Sequence, residues 1–373
     1  MKHHYILFIL LLVTACNSRQ QKNATLNANK SYEPKYAKSF ALHSKTDTTI
    51  LTVINPWQHA SDIEFNYILT PNASPDALNE IKIPVERAIC MSTTHIAFLS
   101  ALGKISAISG ISGLKHVSDT AVIRMGQEKK ISEVGYETNL SYELVFSLKP
   151  DVVFAYGVQG EFTNVEKKLN ELGIKVVYIG EYLEDTPLGK AEWIVAMSAF
   201  FNNQSYAEKI FEKIVTEYNN TKALTTNVEN KPKVMLNVPY KDTWYLPGTQ
   251  SNTVQLINDA GGDYIFSSHN KRESYPMSIE KAFVMAQGAE YWLIGNYAKT
   301  LDELKSIDVR MADIPTFKDK KIYNSNLRLN SAGGDDYWES GVIKPEVILK
   351  DMIKIMHPEL LPNHELYFYR HLE

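Results

Sequence analysis

The sequence predicts an α/β protein: two α/β lobes with a ligand cleft between them, joined by one long rigid helix, with a small N-terminal β extension. Three observations carry that prediction. First, residues 141–157 and 278–295 share one plan of Ser-x-Glu, an apolar helical turn or two, and a short β-like run. In the first copy Glu143 leads through Leu144, Val145, Phe146 and Leu148 to Lys149-Pro150-Asp151 and then Val152-Val153-Phe154-Ala155. In the second Glu280 leads through Ala282, Phe283 and Met285 to Glu290 and then Tyr291-Trp292-Leu293-Ile294, the acidic residue falling two positions later. A duplicated unit implies two similar lobes, and two lobes imply a cleft. Second, strand and helix patterns alternate from residue 88 onward. Third, the longest helical pattern sits between the two copies, with Ala207, Ile210, Phe211, Ile214 and Tyr218 on one stripe.

Taken in order, Met1-Lys2-His3-His4, the apolar run 5–13 and Thr14-Ala15-Cys16 fit a charged start, an apolar segment and a small-residue cleavage site, so 1–15 reads as a signal peptide. That apolar run is too short to cross ~30 Å of hydrocarbon. Residues 16–34, rich in Asn, Lys, Gln and Ser, read as a flexible tether. Alternating runs at 49–54 and 65–69 predict antiparallel strands in a β extension over 35–80. The N-terminal lobe, 81–205, is expected to hold strands at 88–91, 105–111, 152–156 and 176–179, with helices at 93–102, 165–172 and 190–201. Gly103 stops the first of these helices. The interlobe helix is expected over 206–228. In the C-terminal lobe, 229–361, strands are expected at 234–238, 291–294 and 322–323, and helices at 253–260 and 344–356; residues 362–373 form a tail.

Composition sets bounds. The 373 residues carry 39 Lys and Arg against 43 Asp and Glu, a net charge of −4, which leaves no basic footprint for nucleic acid. There is no Gly-x-Ser-x-Gly elbow and no His-Glu-x-x-His, and the ten histidines are scattered. No cofactor or metal site is expected, and the chain is expected to be a monomer and not an enzyme.

Leu12-Val13-Thr14-Ala15-Cys16 resembles a bacterial lipobox, which implies lipid on Cys16 and leaves Cys90 without a partner. From about residue 87 to 361 the chain resembles the substrate-binding proteins of ABC importers for iron complexes, haem and cobalamin. The resemblance rests on Asn139-Leu140-Ser141-Tyr142-Glu143 with Leu148-Lys149-Pro150-Asp151-Val152-Val153, the loop 180–189, Ile257-Asn258-Asp259-Ala260-Gly261-Gly262, and Ser278-Ile279-Glu280. It implies a periplasmic, membrane-anchored protein that delivers a ferric siderophore, haem or cobalamin to a permease and ATPase. It also implies that Glu143 and Glu280 dock on the transporter. Both glutamates fit a simpler role, since an acidic residue in a first helical turn favours the helix dipole by ~0.3–1 kcal/mol.

Ligands of open α/β lobes bind beyond the carboxyl ends of strands. That rule selects Ser92, Thr93, Thr94 and His95; Ser112 and Gly113; Tyr156 and Gly157; Glu181 and Tyr182; Tyr240, Trp244 and Tyr245; and Arg328, Asn330, Tyr337 and Trp338. The residues expected to bind ligand are Ser92, Thr93, Thr94, His95, Tyr156, Tyr182, Trp244, Tyr245, Arg328, Tyr337 and Trp338. Rings and hydroxyls suit a large, flat or chelate-like ligand. The helix start at Thr93 would favour an anionic group, and Arg328 could clamp a carboxylate or catecholate oxygen. Ser92, Thr93 and Thr94 fit helix caps equally well, and His95 fits a packed histidine. A chelatase-like enzyme acting on tetrapyrroles is the outside reading, and it requires a histidine and a glutamate converging in the cleft.

Overall fold

The computed structural model describes residues 31–157 and 162–373. The expected signal segment, Cys16 and most of the tether therefore lie outside the described residues. Pairing begins inside the expected tether, at strand β1 (Ser31–Tyr32). It joins β2 (Phe40–Lys45), β3 (Thr48–Ile54), β4 (Glu64–Thr70) and β5 (Glu80–Lys82) in a sheet of sequential order, antiparallel except for β4 with β5. Leu42, Leu51, Val53 and Leu69 are fully buried while His43 and Asn66 face out, the period-two alternation of a half-buried sheet.

Two carboxylates fasten this extension to the body. Glu192 accepts from the Tyr32 hydroxyl at 2.7 Å and from the N–H groups of Lys35, Tyr36 and Ala37 at 2.8, 2.7 and 2.7 Å. Glu184 accepts from the N–H groups of Lys38 and Ser39 at 2.8 and 3.1 Å and from the Trp193 indole at 2.9 Å. Charge-assisted bonds of this kind are about twice as strong as neutral ones. The segment 32–39 is thereby held as structure.

The N-terminal lobe contains β6 (Ala88–Cys90), β7 (Ile108–Ile111), β8 (Ser132–Glu133), β9 (Val152–Ala155) and β10 (Val176–Tyr178), parallel throughout in the order β10-β9-β6-β7-β8. The C-terminal lobe contains β11 (Lys233–Leu236), β12 (Thr243–Leu246), β13 (Asp263–Tyr264), β14 (Tyr275–Ser278), β15 (Tyr291–Ile294), β16 (Ile322–Asn324) and β17 (Arg370–His371). Its main sheet has the order β13-β11-β15-β16-β17, and β12 and β14 form a separate antiparallel ribbon. Read from the other edge, β16-β15-β11-β13 repeats β10-β9-β6-β7. The two sequence copies fall on equivalent places: a helix at Tyr142–Leu148 before β9 and a helix at Ile279–Ala286 before β15.

The long helix runs over Gln204–Ala223 and lies against a second helix, Pro187–Ala199. The latter is apolar nearly all round, as a core helix must be, and Trp193, Ile194, Val195, Ala196 and Met197 have no exposed surface. It packs on Thr93–Ala101 in one lobe and on Asn252–Asp259 and Pro345–Met356 in the other, so two helices share the link expected of one. The C-terminal tail is also integral. Buried Asp351 accepts from the N–H groups of Tyr367, Phe368 and Tyr369, and β17 pairs antiparallel with β16.

Candidate functional site

A cavity of about 390 Å³ lies between the lobes where β6, β9 and β10 end. Its N-terminal wall comprises Ser92, Thr94, Tyr156, Glu181 and Tyr182, with Pro187 and Lys190 from the first turn of the buried helix. Its C-terminal wall comprises Asn252, Thr253 and Leu256, then Tyr337, Trp338, Gly341, Val342, Pro345 and Ile348. The first wall is polar and the second largely apolar. Six expected residues, Ser92, Thr94, Tyr156, Tyr182, Tyr337 and Trp338, are thus brought together.

The polar wall is built from a helix cap. Ser92 caps Thr93–Ala101 by accepting from the Thr94 N–H at 3.3 Å, and its hydroxyl lies 2.8 Å from that of Thr94. The Thr94 hydroxyl donates to one oxygen of Glu181 at 2.6 Å. Glu181 is 2% exposed; the backbone N–H groups of Glu181 and Tyr182 also act on its carboxyl, and its other oxygen, Oε2, makes no hydrogen bond of normal geometry to a described residue. Burial pushes this carboxyl above its ordinary range, opposed by the Thr94 bond and the charge of Lys190. Burial lowers the Lys190 ammonium, opposed by Glu181. Across the cavity the Asn252 amide nitrogen is likewise buried without a partner. Burial raises the phenols of Tyr156 and Tyr182 and holds that of Tyr337 at about 12, so all three stay protonated at neutral pH. The Tyr182 hydroxyl donates to the Gly157 carbonyl.

Five expected ligand residues lie elsewhere. His95 is fully buried on the inward face of the Thr93–Ala101 helix, edge-on to Phe154, and burial drives its pKa down to about 3, so it is a neutral core residue. Thr93 faces a neighbouring depression of about 330 Å³ with His116, Tyr297 and Trp338. Trp244 is core: strand alternation turns it inward against Trp292, Phe266 and Phe283, where its indole donates to the Leu236 carbonyl at 3.0 Å. The same alternation turns Tyr245 outward on the β12–β14 ribbon, away from the cavity lining. Arg328 is spent on Asp336 at 2.7 Å and on the Tyr367 ring at 4.4 Å, and does not reach the cavity. The helix start expected to favour an anion faces the Glu181 carboxyl instead.

Sequence reasoning missed Lys190, Asn252, Thr253 and the apolar segment 341–348. The signal for Lys190 was Thr186-Pro187, a cap and first-turn proline: Thr186 accepts from the Gly189 N–H at 3.0 Å, which starts the helix three residues before the expected position. Asn252 follows the cap Ser251 in the same way.

Contacts between the lobes flank the cavity. Arg272 donates to the Leu183 carbonyl and lies 3.9 Å from Asp185. On the other side Glu339 accepts from the N–H groups of Ser118 and Asp119 at 2.7 and 2.8 Å, and the Asn330 amide donates to the carbonyls of Lys115 and Val117 at 3.2 and 3.1 Å. Burial raises Glu339 to about 7 despite those two N–H groups.

Glu143 and Glu280 are exposed on the first turns of their helices. Neither carboxylate makes a hydrogen bond or ion pair within 4 Å to a described residue. Among the described residues no group of three or more His, Cys, Asp or Glu is placed to hold a metal ion, and no helix is long and apolar enough to cross a membrane.

Comparison with known proteins agrees with this geometry. An uncharacterized lipoprotein of Methanocaldococcus jannaschii is 29% identical over 307 residues, 79% of this chain and 70% of that protein. A possible iron-binding, periplasmic solute-binding protein from Staphylococcus epidermidis superposes with a TM-score of 0.58 at 16% identity, covering 74% of this chain and 99% of that one. A periplasmic haem-binding protein from Pseudomonas aeruginosa gives 0.57 at 15% identity, covering 78% and 98%. At these identities the structures establish the shared fold. The periplasmic binding protein family model matches residues 89–326, more than half of the chain, and the protein therefore belongs to that family, whose members bind a small ligand and work with ABC transporter components.

Proposed function

We propose that this protein is a lipid-anchored solute-binding protein that captures a ferric siderophore, or another iron chelate such as haem, and delivers it to the permease and ATPase of an ABC importer. The observation that carries this reading is the interlobe cavity itself. It offers Tyr156, Tyr182, Tyr337 and Trp338 as contact area and Ser92 and Thr94 as hydroxyls, with no group of three His, Cys, Asp or Glu among the described residues placed to hold a bare metal ion. Iron would therefore enter already wrapped in its chelator. Cys16 would carry the lipid and hold the protein at the periplasmic face of a membrane, and Glu143 and Glu280, one per lobe and exposed on first helical turns, would meet cationic groups of the permease.

Cobalamin is the second reading within the family. At about 390 Å³ the cavity lies near the lower end of the usual 300–1,000 Å³ for ligand pockets, which favours a smaller cargo than a corrin with its nucleotide loop. A tetrapyrrole chelatase would need a histidine beside Glu181, and among the described residues no histidine lines the cavity. The test is tryptophan fluorescence of the full chain in detergent, titrated with ferric siderophores, haemin and cyanocobalamin. Saturable quenching by an iron chelate is expected, Trp338 being the reporter; no saturable response to any of the three would sink the chelate reading.

A further inference from the structure

The charged groups of the cavity are few. Among the described residues its lining holds one ammonium, Lys190, and one carboxyl, Glu181, and no arginine. No ion pair within 4 Å joins the two, and Lys190 makes no side-chain hydrogen bond to a described residue. Two further atoms are orphaned: Glu181 Oε2, an acceptor in its ionised form, and Asn252 Nδ2, a donor. Buried polar atoms are nearly always paired, and one left unmade costs about 1–3 kcal/mol. Orphans on facing walls of one cavity point to a ligand that completes them. The donors, Lys190 Nζ and Asn252 Nδ2, call for carbonyl-type oxygens, while Glu181 Oε2 calls for an N–H or O–H. The opposite wall, with Leu256, Val342 and Ile348, calls for hydrocarbon.

Resting on the chelate reading above, we propose that this site selects a ferric chelate without net negative charge whose rim carries amide or hydroxamate groups, as in a ferric trihydroxamate. Such a chelate is neutral at the metal, presents C=O and N–H side by side, and has methylene linkers for the apolar wall. A ferric tricatecholate carries three negative charges. Transferring them from water to a cavity whose described lining offers one ammonium with a buried carboxyl beside it, and whose flank adds only Arg272, already engaged with the Leu183 carbonyl and near Asp185, would leave charge uncompensated. The helix start at Thr93–Ala101 does not help, because Thr94 already points its hydroxyl at Glu181.

The test titrates the full chain in detergent with ferrioxamine B, ferric enterobactin and haemin, and repeats the ferrioxamine titration on Glu181→Gln and Asn252→Ala, with thermal melting as the check on folding. Ferrioxamine is expected to bind at least about tenfold more tightly than ferric enterobactin, and each variant to lose about tenfold in ferrioxamine affinity, the effect of one unmade hydrogen bond to a buried group. Asn252→Ala removes a nitrogen that bonds no described residue, so it should fold even if Glu181→Gln does not. Equal or tighter binding of enterobactin or haemin overturns the selectivity but leaves the chelate reading standing. Unchanged ferrioxamine affinity in both variants overturns the assignment of the two orphaned atoms. Binding of none of the three chelates overturns both readings.

Discussion

The two lobes share a frame and differ in what covers it. Both run the same four-strand order, and both place a short Ser-x-Glu helix ahead of a central strand, β9 in one and β15 in the other. The corresponding outer strands, β10 and β16, would each leave an open edge, which natural sheets avoid. At β10 the N-terminal sheet closes it: Tyr67 accepts from the Tyr178 N–H at 3.1 Å, Lys175 donates to the Ser74 carbonyl at 3.0 Å, and Trp57, Phe65 and Tyr178 pack ring to ring. At β16 the C-terminal tail adds β17. The two extensions are thus different solutions to the same edge. The cavity walls diverge in the same spirit, polar on one lobe and mostly apolar on the other. The two halves share the frame, and the extensions make them unequal.

The comparison can be broken most forcefully at the glutamates. If the lobes are equivalent toward the permease, Glu143→Ala and Glu280→Ala should each cut uptake by about tenfold or more, the scale of one charge-assisted contact. The double variant should abolish uptake while ligand titrations stay at wild-type affinity. Normal transport in the double variant would remove the docking role.

Next in size is a pair of tryptophans from the same lobe. Trp244→Ala should cost about 3–5 kcal/mol in chemical denaturation, because a fully buried indole leaves a cavity. Trp338→Ala, at 58% exposure, should leave stability within about 0.5 kcal/mol and instead weaken ligand quenching. Equal effects on stability would contradict their opposite placement.

The two edge seams can be compared directly. Asp351→Ala strands the N–H groups of Tyr367, Phe368 and Tyr369, and Glu192→Ala those of Lys35, Tyr36 and Ala37, so each should cost about 3 kcal/mol. Hydrogen exchange should show the loss confined to 364–371 in the first variant and to 31–70 in the second.

The smallest expected effect lies at the lobe contact. Burial lifts the Glu339 carboxyl from its ordinary value of 4.5 to about 7 in the folded protein. The folded state therefore holds the proton more tightly, so this contribution to stability is complete below about pH 4.5 and lost as pH rises through 7. Melting temperature should fall over that window by an amount equivalent to about 1–3 kcal/mol. Glu339→Gln, which resembles the protonated form, should flatten that part of the profile. A variant with an unchanged slope would exclude Glu339 as its source.

What the sequence determined by itself was the local and the repeated: where helices begin, which strands alternate, and that one unit occurs twice. Those properties depend on neighbours within a few residues, as with Ser278 capping the helix that bears Glu280. It also located the N-terminal wall, since strand ends are legible as strands. Facing was decided only by tertiary structure. Adjacent Trp244 and Tyr245 had equal claims on the cleft until the pairing of β12 with β14 turned one in and one out. His95 and Thr94 are likewise neighbours on one helix, and the packing of that helix, not its composition, sent the first into the core and the second to Glu181. Lys190 and Asn252 come from segments more than sixty residues apart, and only the meeting of the lobes makes them one site. Burial, charge and orphaned hydrogen bonds are properties of that meeting, so the identity of the ligand is written there.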